Sequence, residues 1–232
     1  MTKWKTHRPL ENSSEVDRRK RPNLLYAPHV AELNKLVERI RQSKVGDDSV
    51  PWFDPVGAGV KARVLILAQD PSAVAAGKTE KGTGFISPDN PDPTADNSTF
   101  FSNMAKLKRD ELIHWTIVPW AIDGRDKSSE IKNAKQFLKE LLGLLPQLEV
   151  VICMGQKAEQ GWNEAYPDNQ CIAGWTTLPV VFSNKPIVLT CPHPSFQSVD
   201  GKHRPVDNMT PSERIDKTLR NARIILDRET IC

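Results

Sequence analysis

Two short polar segments, each following an apolar run, contain the side chains best suited to catalysis. Asp70 lies in the segment Gln69-Asp70-Pro71, directly after the run Val64–Ala68. His193 lies between two prolines, after the run Ile187–Thr190. A carboxylate can orient a water molecule or stabilise a cation, and an imidazole can donate a hydrogen bond to a leaving group that becomes an anion. Together the two side chains suit the cleavage of a bond whose ends develop opposite charges.

Each of these side chains also has a purely structural interpretation. Asp70 stands before a loop, where aspartate often accepts hydrogen bonds from backbone N–H groups and caps a turn. A single histidine in a loop is more often structural or solvent-facing than catalytic, and Ser195 could simply cap the next turn. The catalytic interpretation therefore depends on whether the fold brings Asp70 and His193 together.

The spacing of the residues disfavours several other kinds of site. The chain contains no Gly-x-Ser-x-Gly segment, which argues against a serine hydrolase. The segment Gly77-Lys78-Thr79 lacks the upstream glycine of a phosphate-binding loop. His193 and His203 do not have the spacing of helical metal ligands, and the four cysteines form no CxxC pair. We therefore predict no metal ion, no iron–sulfur cluster and no other cofactor.

Apolar runs alternate with amphipathic segments, which predicts a parallel α/β sheet with its site beyond the carboxyl ends of the strands. The predicted core strands are Val64–Ala68, Leu112–Val118, Val150–Met154 and Ile187–Thr190. A further extended segment is predicted at Val180–Phe182. Residues 71–97 are rich in Pro, Gly, Asn and Asp and are predicted to form a long loop, which is usually functional in a compact domain.

The predicted helices flank these strands. They cover residues 29–43, 97–106, 129–145 and 156–165, and a last helix begins at Pro211. We expect Asp96 or Asn97 to cap the second helix, and Ser128 or Ser129 to cap the third.

The chain has 232 residues, of which 38% are hydrophobic and 26% are charged, as in a globular protein. Because no linker divides it, we predict a basic N-terminal arm over residues 1–24 and one domain over residues 25–232. No apolar run has the length of a membrane span, and the N-terminus has no apolar core of a secretory signal. The net charge of +3 permits nucleic-acid binding without requiring it. The cluster Arg18–Arg21 is either a solvated arm or a phosphate clamp.

Three short segments, in their order and spacing, resemble the uracil-DNA glycosylase superfamily. They are Gln69-Asp70-Pro71, Gly84-Phe85 and His193-Pro194-Ser195. The segments Trp115–Trp120 and Asp92–Asn97 are similar to a bacterial branch of this superfamily that has no iron–sulfur cluster. The resemblance extends approximately from Pro51 to Ser198. It implies a single three-layer α/β/α domain with a central, mostly parallel sheet of four strands.

The resemblance also implies roles in removing a base that has been extruded from DNA. Asp70 would position water, and His193 would stabilise the uracil O2 as negative charge develops. The residues that would bind the base are Gln69, through its backbone amide, Ser72, Phe85, through stacking, and Thr116. The residues that would contact the DNA are Ser195, Phe196, as a wedge in the base stack, and Gln197. Without the resemblance, we would interpret Phe85 as an aromatic residue of the core and Phe196 as an aromatic residue packed on the surface.

Two of these positions differ from the best-studied branch of the superfamily. Ser72 stands where that branch has a tyrosine that blocks the thymine methyl group, and a serine leaves room beside the base C5. Thr116 stands where that branch has an asparagine, and a hydroxyl offers one donor where an amide offers a donor–acceptor pair. We therefore expect weaker exclusion of thymine, unless a residue between 73 and 84 fills the space.

The sequence thus favours a DNA-repair glycosylase that hydrolyses the N-glycosidic bond of uracil and leaves an abasic site. Its partner would be uracil-containing DNA, and we expect a monomer in the bacterial cytosol that is not associated with a membrane. One alternative is a damaged-DNA-binding module of the same fold with weak catalysis, against which the presence of both Asp70 and His193 argues. The other is an unrelated α/β hydrolase that acts on a nucleoside or an ester.

Overall fold

The structure, a computed structural model, describes residues 21–43, 49–124, 126–177, 186–200 and 206–228, except for the side chains of Phe196 and Asp200. Helices α1 to α6 cover Ala31–Gln42, Pro93–Met104, Lys127–Gly143, Gln156–Ala165, Phe196–Asp200 and Pro211–Arg228. Strands β1 to β7 cover Trp52–Phe53, Val64–Ala68, Phe85–Ile86, Leu112–Thr116, Val150–Met154, Ile172–Ala173 and Ile187–Cys191. Among the described residues, no helix has the length and apolar character that crossing a membrane requires.

Five strands form one sheet in the order β4-β2-β5-β7-β6, and every neighbouring pair is parallel. In register, Val64 of β2 lies between Leu112 of β4 and Val150 of β5. All five residues of β5 are buried, as expected for a strand that is covered by helices on both faces. Because the strands are parallel, the carboxyl ends of β2, β4, β5 and β7 meet at one edge of the sheet.

The sheet separates the core into two halves, because successive side chains of a strand point to opposite faces. Leu65 and Leu67 of β2 face the half formed with α1, α3 and α4. Val64 and Ile66 face the half formed with α2 and α6. The parallel α/β architecture and the three layers are therefore confirmed.

The sheet has five strands where four were predicted. The additional strand, β6, is only two residues long and lies at the edge beside β7. A second small sheet pairs β1 with β3, again over two residues each. Strands this short give no periodic pattern, so the sequence did not indicate them. The predicted segment Val180–Phe182 lies outside the described residues.

Two of the predicted helix caps are wrong. α2 begins at Pro93, because Asp92 Oδ1 accepts the backbone N–H of Ala95 at 2.9 Å and proline at the first position needs no donor. α3 is capped by Asp126, whose Oδ2 accepts the N–H of Ser129 at 2.8 Å. The long loop after β2 is therefore shorter than predicted, and it also contains β3.

Arg21, the last residue of the N-terminal basic cluster, is buried in the domain at 5% exposure. Its guanidinium lies 2.6 Å from a carboxylate oxygen of Asp54 and 2.6 Å from one of Asp89. Arg109 contacts the same two carboxylates at 2.8 and 2.6 Å. We call these four residues the ion-pair cluster. It joins Arg21 to loops near β1 and β3, whereas the first twenty residues of the predicted arm lie outside the described part of the chain.

Candidate functional site

A cavity of about 630 Å³, here called the base cavity, opens at the carboxyl edge of the sheet. It is lined by the ends of β2 and β4, by the loop after β7, and by the segment from β3 into α2. The predicted site residues on its wall are Gln69, Asp70, Ser72, Thr116, His193, Ser195 and Gln197. The fold therefore brings together polar side chains that are more than a hundred residues apart in the sequence.

The carboxylate of Asp70 is held by its neighbours. Its Oδ1 accepts a hydrogen bond from the side-chain amide of Gln69 at 2.5 Å, and the backbone N–H of Ile122 also donates to it. Burial raises the pKa of Asp70 above its ordinary value of 3.8, although these two hydrogen bonds and the positive charge of Lys127 act in the opposite direction. The side chain of Gln69 thus orients Asp70, a contact that the sequence did not indicate.

The ring of His193 is fixed by the loop that follows it. The backbone N–H of Ser195 donates to Nδ1 of His193 at 3.2 Å, so the neutral ring carries its proton on Nε2. Burial lowers the pKa of His193 below its ordinary value of 6.5, although the charges of Asp70 and Asp92 act in the opposite direction. His193 is therefore neutral at neutral pH and has one N–H with which to stabilise a developing anion.

Two residues outside the predicted site hold the loop that carries His193. Gly155, at the end of β5, has a φ of +91°, and a Cβ built there would lie 3.2 Å from Cβ of His193. Asn97 of α2 donates from Nδ2 to the carbonyl oxygen of Pro194 at 2.8 Å. A strand end and a helix thus position His193 from two sides.

Ser195 makes the contacts of a helix cap. Its carbonyl oxygen accepts from the N–H groups of Ser198 and Val199 at 3.0 Å each, and its hydroxyl lies 3.1 Å from that of Ser198. Gln197 lies exposed on the wall of the base cavity. The side chain of Phe196 is not described, so its role as a wedge stays a prediction.

Ser72 lies exposed on the cavity wall and caps the turn that follows it. Its Oγ accepts the N–H of Ala75 at 3.2 Å and lies 3.3 Å from Oδ2 of Asp92. The buried side chain of Ala75 also lines the base cavity. Between residues 73 and 84, Ala75 is therefore the residue that faces the cavity, and it is small.

Phe85 is 6% exposed in β3, opposite Trp52 of β1. The adjacent residue Ile86 lines the base cavity. Neighbouring residues of a strand point to opposite sides, so the side chains of Phe85 and Ile86 have different surroundings. The stacking of Phe85 on a base stays a prediction.

Three buried polar atoms on the wall of the base cavity have no hydrogen-bond partner among the described residues. They are Oγ of Ser98, Nε2 of His114 and Oγ1 of Thr116. A buried polar group without a partner costs about 1–3 kcal/mol, so most such groups are paired. Thr116 was predicted to bind the base, but Ser98 and His114 were not. The position of His114, two residues before Thr116 in a strand, is the signal that could have indicated it.

Comparison with protein families agrees with this geometry. Residues 55–215, well over half of the chain, match the family model described as Uracil DNA glycosylase superfamily. No curated protein is similar enough to the chain to count as a match. The matched region contains all five strands of the main sheet and both polar segments that carry Asp70 and His193. The chain therefore belongs to the uracil-DNA glycosylase superfamily.

Proposed function

We propose that this protein removes uracil from DNA by hydrolysing the bond between the base and the sugar. Family membership supports a glycosylase in general, a hydrolase that acts on DNA. The observation that carries the proposal is the placement of Asp70 and His193 on the wall of one cavity, with the ring of His193 held so that Nε2 is the donor.

The proposed reaction begins when the target nucleotide leaves the duplex and its base enters the cavity. As the bond between C1′ of the sugar and N1 of uracil breaks, its electron pair passes to the base and the sugar becomes an oxocarbenium cation. The N–H of His193 stabilises the charge at O2 of the base, and the carboxylate of Asp70 stabilises the sugar. Water held by Asp70 then adds to C1′, and its proton neutralises the uracil anion.

Each group has the protonation state that this reaction needs. A neutral His193 ring has one N–H that can donate to the anion, and its lowered pKa provides this form at neutral pH. Asp70 must be ionised, and the hydrogen bonds from Gln69 and Ile122 favour the charged form against the effect of burial. The two groups also lie close enough for each to affect the pKa of the other.

The test is an assay with oligonucleotides that carry one uracil and with matched oligonucleotides that carry thymine. We expect the protein to create abasic sites at uracil, which are detected by strand cleavage in alkali. Asp70→Asn should lower turnover by about 10²–10⁴-fold and leave DNA affinity nearly unchanged, because the carboxylate acts on the transition state. Asp216→Asn, which alters an exposed ion pair with Arg220, is the control.

The outcomes separate the proposal from its alternatives. Near-full activity of Asp70→Asn would show that Asp70 has a structural role and no catalytic one. Tight binding of uracil-containing DNA by the wild type without cleavage would identify a binding module. Cleavage of free nucleosides or esters, with none of DNA, would identify the unrelated hydrolase.

We also propose that the protein acts as a monomer in a reducing compartment, the bacterial cytosol. The reducing compartment is supported by three free thiols in the described part of the chain, as is usual for cytosolic proteins: Cys153, Cys171 and Cys191. Light scattering after size-exclusion chromatography measures the oligomeric state.

A further inference from the structure

We propose that His114 reads the edge of the extruded base together with Thr116, and that this pair selects uracil over cytosine. The inference rests on the proposed function, because it assigns a role within the same cavity. Both residues lie on β4 and line the base cavity. Residues two apart in a strand point to the same face, so their side chains lie side by side.

The neighbouring strand supports this placement. In register, His114 lies beside Ile66 of β2, and Thr116 lies beside Ala68. Ile66 and Ala68 line the base cavity as well. The two polar side chains therefore stand next to an apolar surface, and both can form directional contacts with the edge of a base.

Neither polar group is satisfied within the protein. Nε2 of His114 and Oγ1 of Thr116 are buried and have no hydrogen-bond partner in the described ranges of the chain. Buried groups of this kind usually mark a place where a ligand or water binds. The edge of a base, with adjacent donor and acceptor atoms, can pair with both of them at once.

His114 also lines a second, smaller cavity of about 140 Å³, which Arg109 lines as well. Arg109 is not on the wall of the base cavity. The unpartnered ring nitrogen of His114 is Nε2. We assign the N–H of the neutral ring to this nitrogen, as the donor to the base.

The protonation state of His114 suits such a contact. Burial lowers the pKa of His114 to about 4, and the charge of Arg109 acts in the same direction. The ring is therefore neutral at neutral pH, with one donor and one acceptor nitrogen. An asparagine at position 116 would offer two polar groups to the base, whereas Thr116 offers one hydroxyl. The ring of His114 supplies the second polar group on the cavity wall.

The resulting pattern matches uracil and opposes cytosine. The N–H of His114 can donate to O4 of uracil, while the hydroxyl of Thr116 can accept from N3–H. Cytosine presents an amino group and an acceptor nitrogen at the same two positions. Its amino group would then meet the N–H of His114, a contact between two donors that disfavours this base.

The experiment measures single-turnover excision from oligonucleotides that carry uracil or cytosine at one position. We expect His114→Leu to lower the rate on uracil by about 10-fold or more and to reduce its preference over cytosine, because a base hydrogen bond is lost. The amide of His114→Gln again offers a donor and an acceptor, so this variant should keep most of the wild-type rate on uracil and most of the preference over cytosine. Ser102→Ala is the matched control, because it removes an unpartnered polar atom that lines the smaller cavity and not the base cavity.

A second measurement does not depend on the folding of a His114 variant. In Asp70→Asn bound to a uracil-containing oligonucleotide, the ¹⁵N signals of the His114 ring should shift relative to the free protein. Unshifted His114 signals when those of His193 move, or a folded His114→Leu with the wild-type rate and preference, would overturn the inference alone. Absence of uracil excision by the wild type would overturn the proposed function and this inference with it.

Discussion

Burial shifts the pKa values of Asp70 and His193 toward each other, upward from 3.8 for Asp70 and downward from 6.5 for His193. The proposed reaction needs Asp70 ionised and His193 neutral, and both conditions hold above both pKa values. We therefore expect kcat/KM to fall on acidification, with a midpoint set by the higher of the two pKa values and hence above 3.8. The measurement is the pH profile of uracil excision.

The profile also tests the assigned protonation states. A fall in activity that begins above pH 6.5 would not come from His193, because burial lowers its pKa below that value. The remaining activity of Asp70→Asn should still fall in acid, because His193 continues to titrate.

The resemblance to the superfamily predicts that Ser72 borders the space beside C5 of the base. Ser72 and Ala75 on the cavity wall are both small, and a pocket without a steric wall discriminates one methyl group by only about 1–3 kcal/mol. We expect measurable excision of thymine and 5-hydroxymethyluracil by the wild type, and a narrower range for Ser72→Tyr. The measurement compares excision rates from matched oligonucleotides.

Ser72→Ala is the control for this change, because it removes the same hydroxyl contacts with Ala75 and Asp92 but adds no bulk. Its substrate range should equal that of the wild type. Strict uracil selectivity in the wild type, unchanged by Ser72→Tyr, would show that another residue forms the wall. Ile86 and Asp92, which also line the cavity, would be the next residues to test.

At the scale of secondary-structure elements, the junction between β5 and α4 determines where His193 can lie. Gly155 has a φ of +91°, and an alanine Cβ there would lie 3.2 Å from Cβ of His193. We expect Gly155→Ala to destabilise the fold by about 1–3 kcal/mol and to lower excision as well, because the ring must move. Urea denaturation and single-turnover kinetics measure the two effects.

Gly124→Ala separates backbone strain from contact with His193. Gly124 also has a positive φ, +81°, but a Cβ there would meet nothing within 4 Å. We expect Gly124→Ala to lower the free energy of unfolding and to leave the excision rate unchanged. Equal activity of the two variants would show that the position of His193 does not depend on Gly155.

The long elements were predictable from sequence because their patterns are local. The apolar runs of β2 and β5 extend over five residues each, so the core of the sheet and the shared edge for Asp70 and His193 followed from them. The start of α2 was missed although Asp92 and Pro93 are ordinary signals for it. The direction of Phe85 depends on a two-residue pairing with β1, and no local pattern reveals such a contact.

The same limit explains the unpredicted parts of the site. His114 lies in an apolar run, and its unpartnered state depends on which groups α2 and β2 bring close to it. Asn97 contacts Pro194 from almost a hundred residues away. These contacts exist only in the assembled fold.

For the whole molecule, the ion-pair cluster couples stability to pH. Burial alone would raise the pKa of Asp89, but its hydrogen bonds and charge interactions with Arg109 and Arg21 outweigh burial and lower it below the ordinary 3.8. Ionised Asp89 therefore stabilises the fold above pH 3.8, and this contribution is lost as the pH falls through the lowered pKa. Asp89→Asn should lower the free energy of unfolding at pH 7 by about 3 kcal/mol, because it leaves the two arginines of the cluster with one carboxylate, Asp54, between them.

Urea denaturation at pH 7 and in acid checks this, and Arg39→Ala is the control. Arg39 and Glu140 form an ion pair at 3.2 Å in which both side chains are about half exposed, and such pairs contribute less than about 1 kcal/mol. The stability of Asp89→Asn should also decrease less than that of the wild type on acidification. Equal acid sensitivity of the two proteins would show that other carboxylates govern the transition.

The position of β7 in the chain has a consequence for the order in which function is acquired during folding. The loop with His193 follows β7, which pairs with β5, whereas Asp70 follows β2 and Thr116 ends β4, two strands that come earlier in the chain. A chain that has formed β4, β2 and β5 but has not yet added β7 possesses only Asp70 of the proposed catalytic pair. During refolding, recovery of uracil excision should therefore lag behind recovery of the helical circular dichroism signal. The length of this lag would measure how long β7 takes to join the sheet.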